Sequence, residues 1–89
     1  MKLRNEDVRK ITQIKQYLLD PPVSFKLYDY AITYVNEAIT VLNQYPTAQS
    51  LVTYLQQLLQ QLNDKTIAQE DLRKTLKQAG IQISKITSG

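Results

Sequence analysis

YDYAITYVNEAITVLNQY, residues 28–45, repeats its apolar side chains at steps of three and four. Tyr28, Ala31, Ile32, Val35, Ala38, Ile39, Leu42 and Tyr45 fall on heptad positions a, d and e, and Asp29, Thr33, Asn36, Glu37, Thr40 and Asn43 take the opposite face. A strand would alternate every two residues, so this stretch is a helix with one apolar side to bury. Pro46 closes it, and Pro21-Pro22 closes the segment before it, because proline removes a backbone donor and clashes with the preceding turn.

The flanking segments repeat the pattern. Upstream, Val8, Ile11, Ile14 and Leu18 share a stripe, with Asn5 as expected N-cap and Glu6 and Asp7 in the first turn. Downstream, Thr47 is the expected cap of a helix burying Ala48, Leu51, Val52, Leu55, Leu58, Leu59 and Leu62, with Gln56, Gln57, Gln60 and Gln61 outside. The polar cluster Asn63-Asp64-Lys65-Thr66 separates it from a fourth helix, where Thr66 and Gln69 have capping-box spacing and Leu72, Leu76 and Ala79 form the stripe. Ile83 and Ile86 continue that register, so Gly80 is read as lying inside the helix rather than ending it; a cap at Gly80 with an extended tail is the alternative.

Four amphipathic helices, roughly residues 6–19, 24–44, 47–63 and 67–85 with Ser24 capping the second, cannot bury their stripes singly. The expected fold is all-α, an antiparallel up-down-up-down four-helix bundle forming one domain over residues 1–89.

The composition leaves little room for catalysis. The chain has no cysteine and no histidine, which removes thiol chemistry, disulfides and the commonest acid–base group at neutral pH. Two glycines, Gly80 and Gly89, make no phosphate loop. The adjacent acids Glu6/Asp7 and Glu70/Asp71 sit in first turns of helices, where negative charge suits the dipole. No enzyme, cofactor or metal is expected. Arg9 and Lys10 interrupt any N-terminal apolar run, so no secretory leader is expected and a cytoplasmic protein is.

Charge is segregated along the chain. Residues 1–26 carry six basic and three acidic side chains, residues 27–64 only Asp29, Glu37 and Asp64, and residues 65–89 five basic and two acidic. In an antiparallel bundle the first and last helices are neighbours. Arg9, Lys10, Lys15, Arg73, Lys74, Lys77 and Lys85 would then share a basic side, suited to an acidic partner or an anionic membrane surface, or simply solvated. No nucleic-acid partner is expected from so sparse a stripe. Of the six tyrosines, Tyr28 and Tyr45 lie on the core stripe and Tyr34 and Tyr54 flank stripes, while Tyr17 and Tyr30 read first as ordinary packing residues, with interface anchors as the alternative.

The stretch from about Tyr28 to Gly80 resembles the bacteriocin immunity proteins of the enterocin A immunity type. The likeness rests on the long helix Tyr28 to Leu42, the break at Pro46, Leu51-Val52-x-x-Leu55, the linker Asn63 to Ile67, Glu70-Asp71-Leu72 and Leu76-Lys77-x-x-Gly80. It implies an antiparallel four-helix bundle acting inside the cell. Such proteins are thought to associate with the bacteriocin-occupied membrane component of a mannose-type sugar transporter and to prevent a lethal pore. The resemblance places recognition in the C-terminal half; with charge, this marks Arg73, Lys74, Lys77, Gln78 and Lys85 as candidate partner-binding residues, with possible contact to the inner membrane surface. A helical protein-interaction adaptor unrelated to bacteriocins is the other reading.

Overall fold

Asp7, Ile11, Ile14 and Leu18 are the buried residues of the first helix, α1 (Asn5–Leu19), in the computed structural model, which describes residues 2–22 and 26–87. The 4-3-4 spacing of that set is a strict helical stripe. Val8 lies one step, about 100°, round the helix and is 43% exposed, so the inward position expected for Val8 belongs to Asp7. Helices α2 (Leu27–Leu42), α3 (Gln49–Asn63) and α4 (Gln69–Thr87) follow, with one 3₁₀ turn, Pro46–Ala48, between α2 and α3. The expected start of α2 at Ser24 lies outside the described residues.

The helices alternate in direction, and hydrogen bonds between their ends fix this. The Arg4 side chain before α1 reaches Gln44 after α2, and the Tyr28 hydroxyl in α2 donates to the Ile67 carbonyl between α3 and α4. Arg73 Nη1 in α4 donates to the Pro21 carbonyl after α1 at 2.9 Å. Helix α1 packs on both α4 and α2, α2 packs on α3, and α3 and α4 stand farther apart. This is the expected all-α four-helix bundle.

One apolar cluster fills the interior. Leu18, Val35, Leu42, Leu55, Leu62, Leu72, Leu76 and Ile83 are almost wholly excluded from solvent. Helix α4 runs unbroken through Gly80 to Thr87, two residues beyond the expected end, because Ile83 carries the stripe inward after the glycine.

The helix ends depart from expectation. Asn5 lies within α1, the preceding residue Arg4 makes no side-chain cap, and neither does Ala48 before α3. Thr66 does not cap α4. Its amide and hydroxyl bond the Gln61 carbonyl at 3.1 and 3.3 Å while the Lys65 amide bonds that of Leu62, closing the C-terminus of α3. That closure puts Lys65 in the left-handed region at φ 54°. Glycine is the usual residue there, since a Cβ strains the conformation. Lys65→Gly is therefore expected to raise stability by about 0.5–1 kcal/mol, measurable as a higher denaturation midpoint with unchanged slope.

Candidate functional site

Helical geometry gathers most of the candidate residues. Positions 74, 77, 78, 81 and 85 recur at steps of three and four, so they form one stripe on the side of α4 opposite Leu72, Leu76 and Ile83. Lys74, Lys77, Gln78 and Lys85 are exposed along it, and half-buried Ile81 lies among them. Lys85 also sits in the last turn, where positive charge complements the helix dipole. Arg73 lies off this stripe: its hydrogen bond to Pro21 ties the start of α4 to the end of α1, a tethering role.

The wider basic side is only partly assembled. Helices α1 and α4 are neighbours as expected, and Lys15 borders the seam between them. Lys10 instead borders the α1–α2 seam, in a groove of about 270 Å³ shared with Glu37, Asn36 and Thr40. The reason is angular: Lys10 and Lys15 lie on opposite flanks of the α1 stripe, one toward each neighbouring helix. Arg9 is exposed.

The tyrosines form an unforeseen group. Tyr17 stacks on Tyr34 with ring centroids 4.0 Å apart, and Tyr30 approaches Tyr17 edge-on at 6.0 Å. Burial, then the neighbouring Tyr34 and Tyr30, push the Tyr17 hydroxyl above its ordinary pKa, so it stays protonated at neutral pH. Tyr30 remains 41% exposed. Spacing along one helix could not show this cluster, which is built across the α1–α2 seam.

At the other end of that seam sits a polar latch. Asp7, only 3% exposed, accepts hydrogen bonds from the Tyr45 hydroxyl and from Arg4 Nε at 3.1 Å. The Tyr45 oxygen in turn accepts the Arg4 backbone N–H at 3.0 Å, and the Arg4 guanidinium lies 5.8 Å from the centre of the Tyr45 ring. The Tyr45 hydrogen bond, with help from Arg4 and against the effect of burial, holds the Asp7 carboxyl below the usual carboxylate range. A depressed folded pKa contributes stability that is complete above the unfolded value, near ~3.9. That contribution fades as pH falls through the folded value. Tyr45→Phe is thus expected to cost about 1 kcal/mol at neutral pH, and less once Asp7 is protonated in both proteins, when the lost Arg4 backbone hydrogen bond remains. Thermal melts of both proteins across the acid range test this; an equal deficit at every pH would show that the Arg4 backbone and packing, not the carboxylate, are what the hydroxyl serves.

Among the described residues no three carboxylates gather to hold a metal ion, and no helix is long and apolar enough to cross a membrane. The geometry offers surfaces for contact: a lysine stripe on α4, two grooves beside α1, and an aromatic patch. No protein-family model, no curated protein and no solved structure matches the chain.

Proposed function

We propose that this protein is a bacteriocin immunity protein, protecting the cell that carries it from a pediocin-like bacteriocin by binding rather than by catalysis. It works from the cytoplasmic side, resting on the inner membrane face, and binds the bacteriocin-occupied receptor, a mannose-type sugar transporter component. The observation that carries the reading is the α4 stripe: Lys74, Lys77, Gln78 and Lys85 exposed together on a helix of the C-terminal half, where the family resemblance places recognition. The bundle frame and the order of helices and breaks from Tyr28 to Gly80 fit the same family.

The test is a killing assay. The chain is expressed inside a bacteriocin-sensitive cell and challenged with a panel of pediocin-like peptides. Protection against one or a few peptides is expected, and no protection across the panel overturns the proposal.

A second reading, a helical adaptor for another protein, draws on the exposed Tyr30 over the Tyr17–Tyr34 stack, since tyrosine is enriched at interface hot spots. It predicts that Tyr30→Ala weakens an association seen by sedimentation and leaves any bacteriocin resistance unchanged.

A further inference from the structure

Where the start of α1 meets the end of α4, a groove of about 260 Å³ opens between the two helices. Its floor is apolar: Ile11 is buried beneath it, Leu3 is half-buried, and Val8 exposes 43% of its surface. Lys2 and Lys15 border it, Thr12 adds a hydroxyl, and among the described residues no acidic side chain lines it. Among the described residues the other large apolar side chains in the open are tyrosines, so an exposed valine in a setting of lysines stands apart from them. We infer that this groove is a docking site for an acidic phospholipid of a membrane surface, its phosphate lying between Lys2 and Lys15 and its glycerol and first methylenes on Val8 and Leu3.

The chemistry selects that occupant. A free phosphate would satisfy the two ammonium groups and leave the valine wet. A peptide strand would bring backbone donors into a groove walled by helices, whose own backbone groups are already paired, and would leave them unsatisfied. A phospholipid brings phosphate and ester oxygens that accept from the two ammonium groups, with hydrocarbon attached. The volume is below the roughly 300–1,000 Å³ of pockets that engulf a whole ligand, and it suits a head group held at the edge of a bilayer. The inference stands on the groove itself and does not depend on the immunity reading.

Flotation with vesicles tests it. The full chain is expected to bind vesicles of phosphatidylcholine mixed with phosphatidylglycerol and to ignore phosphatidylcholine alone. Lys2→Glu with Lys15→Glu should reduce binding by about tenfold or more. Arg9→Glu with Lys10→Glu makes the same charge change outside the groove and should reduce it far less. Val8→Ser, which alters no charge, should also weaken binding, and melting curves would confirm that each variant is folded. Failure of the parent chain to bind the acidic vesicles overturns the proposal. So do equal losses in both charge-reversal variants with Val8→Ser unaffected, because binding would then be diffuse attraction of a cationic protein. Methyl and amide shifts at Val8 and Thr12 with soluble glycerol phosphate but no vesicle binding would make it a small-anion site and sink the lipid assignment. A chain that binds vesicles through the groove yet resists no bacteriocin would leave this inference standing and remove the proposed function.

Discussion

Gly80→Leu is expected to destabilise the bundle by about 2–3 kcal/mol, a large share of the roughly 5–13 kcal/mol available to a domain of this size. The reason is the approach of α1. A Cβ placed on Gly80 would lie 2.9 Å from both Cγ and Cδ2 of Leu19 and 3.3 Å from the Leu19 backbone nitrogen. Rotating the Leu19 side chain relieves only part of that, since the branching carbon and the main chain are involved. Gly80→Ala is the sharper measurement because two effects oppose. Alanine gains about 1 kcal/mol of helix propensity over glycine. The crowding it introduces costs about 1–3 kcal/mol. A net loss of stability is expected, and pairing it with Leu19→Ala should recover part of that loss as a coupling energy. If Gly80→Ala instead raises the melting temperature by the full propensity gain, Leu19 does not crowd position 80.

Gly80 also shows what the sequence can and cannot carry. That α4 continues through it was legible, because Ile83 and Ile86 keep the register of Leu72, Leu76 and Ala79. Why a glycine stands there was not: the cause is Leu19, far away in the chain and on another helix. The same division runs through the molecule. Helix number, breaks and most of the core follow from local period, which one strand of text displays. Val41 lies off the stripe that spacing marks in α2 and is yet only 5% exposed, because α2 turns that flank toward α1, and which flank meets which neighbour is a property of the assembly. Asp7 reads from the sequence as a dipole partner at a helix start; its burial depends on Tyr45, whose hydroxyl comes from the turn after α2. Lys65 in a left-handed turn had no glycine to announce it.

The candidate site divides in the same way. The stripe of Lys74, Lys77, Gln78 and Lys85 is internal to one helix, so spacing alone assembles it. Arg73 has the same charge but a different neighbour, the Pro21 carbonyl, which no reading of α4 by itself would supply. The groove around Val8 needed both α1 and α4 in place before Lys2 and Lys15 could be seen to border one apolar floor.

Reversing the α4 stripe, with Lys74→Glu, Lys77→Glu and Lys85→Glu together, is expected to abolish protection in the killing assay while leaving a folded bundle. All three side chains are exposed, so each change alone should move stability by no more than about 0.5 kcal/mol. Lys85→Glu carries most of that cost, since it places a negative charge in the last turn of α4, and Glu70 four residues before position 74 adds a mild repulsion. At a contact surface the same reversal replaces attraction by repulsion at three points of one stripe, and like charges set against a partner cost several kcal/mol. The corresponding Lys→Gln triple variant removes the attraction without adding repulsion and should lose less. Arg73→Ala makes the necessary contrast. It frees the Pro21 carbonyl and loosens the α1–α4 tether, so its effect should appear first in the melting curve and fall equally on every bacteriocin that the parent chain resists. A folded triple-glutamate variant that still protects fully would show that the stripe is merely solvated, and would turn attention to the Tyr17–Tyr30–Tyr34 patch as the contact.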